Sequence, residues 1–164
     1  MTEYPAPYTP WDLTAGPDGA IWFTERVDNL VARMTTSGVI TNQYPSPTPN
    51  GGPNVIIVGP DHALWYTELY GNKIARLITG GLIAELPVPT PQSQPGALTV
   101  GPDGAFWFTE HTGNQIGRLT LTGSFDEYPV PTPDSDPMVI ETGPDGALWF
   151  TEYEGNKIGR ITTP

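Results

Sequence analysis

The sequence predicts an all-β fold in which four-stranded antiparallel sheets are arranged as the blades of a β-propeller. The first observation is a repeat: Gly-Pro-Asp returns at intervals of 43, 42 and 42 residues, at Gly16, Gly59, Gly101 and Gly143. The second is that every repeat contains short apolar or alternating runs, each ended by Gly, Asn or Pro. Short strands with frequent turns, recurring at a period of about 42 residues, are typical of propeller blades.

The repeats divide the chain, residues 1–164, into the blades of one propeller domain. We expect blade 1 at residues 10–46, blade 2 at 53–88, blade 3 at 95–130 and blade 4 at 137–163. Residues 2–6 resemble an outer strand without a blade, whereas blade 4 lacks an outer strand. We therefore predict that residues 2–6 complete blade 4, either in the same chain or in a symmetric dimer of eight blades.

Each blade is predicted to run from an inner to an outer strand. The inner strand follows a proline, as at 137–142, and the second strand, 147–152 in blade 4, is apolar on both faces. A strand of this kind must be covered by a neighbour on each side. The third strand, 157–163, follows a short loop, and the outer strand, as at 125–130, carries prolines that mark it as the rim.

Turn positions predict the strand register. A first hairpin centred on Pro144 and Asp145 pairs Pro137 with Glu152, and the next loop pairs Trp149 with Arg160. The same counting gives one Arg–Trp pair in every blade, for which we expect guanidinium stacking on indole between blades, worth ~0.5–2 kcal/mol each. The residues with this predicted structural role are Trp22, Trp65, Trp107, Trp149, Arg33, Arg76, Arg118 and Arg160.

Composition limits the classes of partner. The chain has 7 basic and 18 acidic side chains and a formal net charge of -11, which disfavours nucleic acid and membrane surfaces as partners. The absence of cysteine excludes disulfides, thiolate metal sites and cysteine nucleophiles. The first residues carry neither a basic nor an apolar run, so we expect no signal peptide and a soluble protein, with the cytoplasm favoured.

The repeats resemble a known family. Residues 143–163, Gly-Pro-Asp-Gly-Ala-Leu-Trp-Phe-Thr-Glu-Tyr-Glu-Gly-Asn-Lys-Ile-Gly-Arg-Ile-Thr-Thr, with Glu-Tyr-Pro-Val-Pro-Thr-Pro at 127–133, strongly resemble repeats of the virginiamycin B lyase (streptogramin lyase) family. The resemblance covers all four repeats and implies seven-bladed relatives. Blades that turn by about 51° fit an eight-bladed ring better than a four-bladed one, so we expect a homodimer closed by strand exchange.

The resemblance also implies an activity, the Mg-dependent elimination that opens a cyclic depsipeptide antibiotic at its ester bond and so confers antibiotic resistance. In the family, a histidine in a Pro-His-Gly motif at the start of an inner strand removes the proton. The matching positions here are Trp11, Asn54, Gly96 and Met138. None is histidine, so a catalytically silent propeller, truncated or engineered, is our first hypothesis. Because these positions differ most between blades, they are also the candidate ligand-binding residues.

Acidic residues on the same face are candidate Mg²⁺ or Ca²⁺ ligands. Glu152 ends a second strand and Asp136 precedes Pro137, and these two are the metal candidates. Glutamate recurs at the equivalent position of every blade, however. This repetition favours a structural role in which each glutamate accepts turn N–H groups or pairs with Lys73 or Lys157.

Two histidines remain. His62 replaces glycine in a Gly-Pro-Asp-Gly turn and is predicted to be a solvated turn residue. His111 follows Glu110 on the face where the family's site would lie, which makes both residues candidates for catalysis. Three hypotheses stay open: a silent propeller scaffold, an Mg-dependent lyase that uses a relocated base at His111 with Glu110, and a module that binds a small ligand or a protein through its loops.

Overall fold

The structure, a computed structural model, describes residues 1–164 and consists of fifteen β-strands joined by turns and loops. Blade 1 contains β1 (Leu13–Ala15), β2 (Ile21–Glu25), β3 (Leu30–Met34) and β4 (Ile40–Pro45), and blade 2 contains β5 (Pro53–Val58), β6 (Leu64–Glu68), β7 (Lys73–Leu77) and β8 (Ile83–Pro87). Blade 3 contains β9 (Pro95–Val100), β10 (Phe106–Glu110), β11 (Gln115–Leu119) and β12 (Phe125–Pro129), and blade 4 contains β13 (Pro137–Thr142), β14 (Leu148–Glu152) and β15 (Lys157–Ile161). Each sheet is antiparallel with its strands in chain order, which confirms the predicted all-β fold of four blades. None of its elements is a helix able to cross a membrane.

The four blades form an open arc. Their inner strands are in contact in the order β1–β5, β5–β9 and β9–β13, whereas no contact of this extent joins blade 4 to blade 1. The core accordingly consists of layers between neighbouring blades. Trp22 of blade 1 packs with Tyr66 of blade 2, for example, and Trp107 of blade 3 packs with Ile140 of blade 4. This packing explains why the second strands are apolar on both faces.

The two ends of the arc have no neighbour. Trp149 is 39% exposed and Ile158 is 63% exposed on blade 4, although their counterparts in blade 3, Trp107 and Ile116, are buried. At the other end, Leu13 of blade 1 is also exposed. The arc therefore ends in two partly apolar sheet faces.

Residues 2–6 lie beside blade 1. They form no strand, and β15 has no fourth strand next to it. The ring of Tyr4 contacts Gly38 in blade 1, just as the ring of Tyr44 in blade 1 contacts Gly81 in blade 2. The structure thus corrects the prediction that residues 2–6 complete blade 4 within the same chain, because blade 4 lies at the opposite end of the arc.

The register is confirmed between the second and third strands, where Trp149 pairs with Arg160 and each other blade has the equivalent pair. Between the first two strands of blade 4, Pro137 pairs with Glu152 as predicted, but Thr142 pairs with Leu148. The turn is therefore centred on Asp145 alone. A β-bulge between Pro137 and Ile140 compensates for the shift.

The aspartate of each Gly-Pro-Asp turn joins the tryptophan and arginine of its blade. In blade 1, Trp22 Nε1 donates to Asp18 Oδ1 at 2.9 Å and Arg33 Nε donates to Asp18 Oδ2 at 2.7 Å. The other three blades repeat this arrangement. Each guanidinium carbon lies 5.8–6.0 Å from the indole centre, at the outer limit of a cation–π contact. The predicted contact of guanidinium with indole is therefore present, but it lies within each blade and not between blades, and the aspartate completes it as an Asp–Trp–Arg clamp.

Candidate ligand-binding site

A cavity of about 690 Å³ lies on the inner side of the arc. Its walls come from the inner strands of all four blades and from loops that follow the second strands, and 11 of its 18 lining residues are hydrophobic. Apolar walls with a few polar side chains are typical of small-molecule sites.

Three of the four candidate ligand-binding residues line this cavity. Trp11 is 54% exposed in its wall, Met138 lies on β13, and Asn54 is buried at the start of β5. The fourth, Gly96, lies beneath the imidazole of His111, because a Cβ added at Gly96 would overlap the ring. The structure therefore brings together the four positions that correspond to the Pro-His-Gly histidine of the family. At one of them, Gly96, the imidazole of His111 fills the space above the glycine.

His111 is oriented by an aspartate. Its Nδ1 lies 3.1 Å from Oδ1 of Asp136, and the two side chains are 16% and 34% exposed. The backbone N–H of His111 donates to the carbonyl of Gln94 at 3.2 Å, which holds the loop in place. In the tautomer with hydrogen on Nδ1, this N–H donates a hydrogen bond to Asp136. The other ring nitrogen, Nε2, lies over Gly96 and then has a free lone pair.

Glu110 does not take part in this pair. Glu110 ends β10 and is fully buried beside Ser93 and Gly113, whereas His111 lies in the turn that follows the strand. Burial raises the pKa of Glu110 to about 7, and the nearby hydroxyl of Ser93 opposes the shift. The predicted pairing of His111 with Glu110 is thus corrected, because the neighbour of the imidazole is Asp136.

The other glutamates at this position are also enclosed by their blades. Glu68 is buried, accepts a hydrogen bond from Ser46 Oγ, and has its pKa raised to about 7 by burial, with the negative charge of Glu85 adding to the shift. The lysines bind elsewhere: Lys73 Nζ lies 2.5 Å from Glu85 Oε2, and Lys157 Nζ donates to Thr132. The predicted pairing of these glutamates with lysine is therefore wrong.

The candidate metal ligands are not gathered into a site. Glu152 is buried beside Gly155 at the end of β14, whereas Asp136 faces His111. No group of three or more histidine, aspartate or glutamate side chains is placed to hold a metal ion. Because Mg²⁺ requires several oxygen ligands in a regular geometry, the donors of these four blades do not fit the family's metal.

Arg26, which the sequence analysis did not select, is the cation of the cavity. Its guanidinium carbon lies 3.5 Å from the centre of the Trp11 ring, and Nη1 donates to Asn54 Oδ1 at 3.4 Å. Arg26 follows a Thr-Glu pair, where the other blades have Leu69, His111 and Tyr153. The blade-to-blade variation that selected Trp11 and Asn54 is also present here, so the same signal would have found Arg26.

His62 lies away from the cavity, in the turn between β5 and β6. It is exposed and has a φ of 57°, where the other three blades have glycine with φ of 72–75°. The structure confirms the prediction of a solvated turn residue.

Comparison with known proteins matches the whole chain, residues 1–164, to the model described as the Virginiamycin B lyase family. Among solved structures, a selenomethionine-substituted virginiamycin B lyase from Staphylococcus aureus is 44% identical, with a TM-score of 0.94 over 99% of this chain and 56% of that chain. A catalytically inactive histidine-to-alanine variant of virginiamycin B lyase from the same organism, with quinupristin, is also 44% identical, with a TM-score of 0.92 over 97% of this chain and 54% of that chain. A streptogramin B lyase is 38% identical, with a TM-score of 0.89 over 99% of this chain and 58% of that chain.

The present chain therefore spans little more than half the length of these structures. No curated protein matches it. The match over all residues, the identity and the shared arrangement of blades agree with one another, and the chain belongs to the virginiamycin B lyase family.

Proposed function

We propose that the cavity binds a small, largely apolar, peptide-like ligand, and that these four blades do not catalyse the family's elimination reaction with the family's own base. One observation carries the proposal. Side chains that differ from blade to blade, including Trp11, Arg26 and His111, converge on the cavity. Side chains that repeat in every blade form the clamps and the buried glutamates instead. Because the cavity-lining side chains vary while the structural residues of the blades repeat, a specific binding role for the cavity is supported.

The absence of the family's base supports catalytic silence. Trp11, Asn54, Gly96 and Met138 occupy the four equivalent positions, and none of these side chains exchanges a proton near neutral pH. The Staphylococcus aureus relative with one histidine changed to alanine is described as catalytically inactive. The donors near these positions also fail to make a metal site.

The proposal is tested with quinupristin, the molecule named with that relative. We expect calorimetry to detect binding, and mass spectrometry to detect no ring-opened product when Mg²⁺ is present. Trp11→Ala should weaken binding because it removes an exposed indole from the cavity wall. Tyr153→Ala, an aromatic truncation outside this cavity, is the matched control and should leave affinity unchanged. Absence of binding, or equal losses in both variants, would contradict the binding role.

The His111–Asp136 pair favours a second candidate function. An imidazole held by a carboxylate is a general-base arrangement, and Nε2 of His111 lies over a base position of the family. In an elimination, this nitrogen would take the proton next to the carbonyl as the ester C–O bond breaks and a carboxylate leaves. A ring-opened product would support this function if His111→Gln abolishes its formation and Asp136→Asn slows its formation by about 10²–10⁴-fold. Turnover retained in His111→Gln would exclude it.

For assembly, we propose that two copies of the chain join into an eight-bladed ring. The partly apolar end faces at Leu13 and Trp149 support this arrangement, as does the open edge of β15. The contact of Tyr4 with Gly38 supports it further, because it holds residues 2–6 where the outer strand of a preceding blade would lie. In the dimer, residues 2–6 of each copy would pair with β15 of the other.

Light scattering tests the assembly. We expect a mass of twice 17.7 kDa, and we expect Tyr4→Ala to shift the protein toward the monomer because it releases residues 2–6 from blade 1. Tyr70→Ala removes an exposed tyrosine away from both end faces and is the control. A monomer of 17.7 kDa at high protein concentration would overturn the dimer.

A further inference from the structure

We propose that Arg26 is a recognition point for a carboxylate group on the ligand of the central cavity. The inference rests on the proposed binding role of the cavity and specifies the chemical class of its ligand: a molecule with an apolar body and one carboxylate. The carboxylate would bind the free edge of the guanidinium, and the apolar body would lie along the hydrophobic walls.

Arg26 has no acidic partner within the chain. The chain has 18 acidic and only 7 basic side chains, so that carboxylates are in surplus. Five of the basic side chains form ion pairs with aspartate or glutamate at 2.5–3.0 Å. Arg26 forms none, although it is half-buried in the wall of the cavity. Its charge is therefore left for a group that is not part of the chain.

The guanidinium of Arg26 is held in place. Its face lies on the indole of Trp11, whose own backbone N–H donates to the carbonyl of Thr24 at 2.8 Å. A guanidinium stacked on an aromatic ring keeps its N–H donors directed outward in its plane. Within the chain only Nη1 donates a hydrogen bond, a long one of 3.4 Å to Asn54. The remaining N–H groups can bind a carboxylate with two parallel hydrogen bonds.

Two acidic residues, Asp12 and Glu141, share the cavity with Arg26. Asp12 lies next to Trp11 in the sequence, but its Oδ2 accepts the backbone N–H of Ile56 at 2.8 Å and so anchors β5. Glu141 lies on β13 in blade 4 and is 3.5 Å from Thr99 Oγ1. Neither acid neutralises Arg26, and both would repel a carboxylate bound elsewhere. Their presence favours one position for the anion, at Arg26.

Phenylacetate and phenylacetamide make a matched pair of probes, because they share the aromatic ring and differ in charge. We expect quenching of tryptophan fluorescence to show that phenylacetate binds about tenfold more tightly, with Trp11 as the reporter. Arg26→Gln should abolish this preference, because it removes the charged pair of N–H donors that would bind the carboxylate of phenylacetate. Arg26→Lys should retain part of it, since an ammonium keeps the charge but loses the planar pair of donors.

Lys157→Gln is the matched control. Lys157 is the other basic side chain without an ion pair, and it lies outside the cavity, so this variant should keep the full preference for phenylacetate. Equal affinities of the intact protein for the two probes would overturn the role of Arg26 while leaving the cavity's binding function in place. Binding of neither probe would overturn both proposals. An equal loss of preference in Lys157→Gln and Arg26→Gln would assign the preference to net charge and would also overturn the inference.

Discussion

Blades 3 and 4 have nearly the same sequence along their second strands, Phe-Trp-Phe-Thr-Glu and Leu-Trp-Phe-Thr-Glu, and yet they differ in burial. Trp107 in blade 3 is buried in a layer that it shares with residues of blade 4, whereas Trp149 lies on the face of blade 4 that has no neighbouring blade. The backbone pairing and the aspartate clamp are the same in both blades. The repeated sequence therefore determines how each blade folds, while the adjacent blade determines how much each side chain contributes to stability.

The largest expected effect is the difference in unfolding free energy lost when each of these two tryptophans is replaced by alanine. Trp107→Ala should destabilise the chain by about 3–5 kcal/mol, because it leaves a cavity in a layer buried between two blades. Trp149→Ala should cost only about 1–2 kcal/mol in the monomer, because part of the indole already contacts solvent. Urea unfolding of both variants measures the difference. Equal losses in the monomer would contradict this role of the adjacent blade, whereas similar losses are expected in the proposed ring, where both indoles would be covered.

A smaller effect concerns the buried glutamate of blade 3. Because the pKa of Glu110 is raised to about 7, above its ordinary value of 4.5, the folded state favours the protonated carboxyl. The stability that this group contributes is full below about pH 4.5 and is lost as the pH rises through about 7. Glu110→Gln resembles the protonated form and should be more stable than the parent by about 1–3 kcal/mol at about pH 8, with little difference at about pH 4.5.

Glu154→Gln is the control for this prediction, because it removes the same charge from an exposed position in blade 4. Thermal unfolding across this pH range should give a parallel profile for Glu154→Gln and a flatter one for Glu110→Gln. A profile for Glu110→Gln that runs parallel to the parent would contradict the raised pKa.

The smallest effect compares the turns of blades 2 and 3. His62 has a φ of 57° at the position where Gly104 has a φ of 74°, and a side chain in this left-handed region is strained. His62→Gly should therefore raise stability by about 0.5 kcal/mol, since the relief of strain is partly offset by the flexibility of glycine in the unfolded chain. Gly104→His should lower it by a similar amount. A loss of stability in His62→Gly would show that the imidazole makes a stabilising contact in the turn.

Repetition made much of the fold predictable. The four blades, the pairing of Trp149 with Arg160 and the turn at His62 follow from local spacing, because a hairpin register depends on residues that are close in sequence. The clamp on Asp145 was missed because the turn proved to be centred on that residue, which places its carboxylate beside both side chains. Only the contact of arginine with tryptophan was predicted, and it is present within each blade.

The candidate site was predictable only in part. Trp11, Asn54 and Met138 were selected by their variation between blades and do line one cavity, while Arg26 carries the same signal and was overlooked. The contact of His111 with Asp136 had no sequence signal. The two residues are 25 positions apart, and their distance depends on how blade 3 packs against blade 4.

By itself, the sequence determined the strands, their order within each blade and the absence of histidine at the family's base positions, since each of these is a property of neighbouring residues or of residue identity. Only the tertiary structure decided that the arc stays open within one chain, that Tyr4 rests on blade 1, and that Arg26 and His111 face one cavity. The angle between adjacent blades is the physical reason. It is set by side chains packed between sheets, and small differences at each interface add up along the arc.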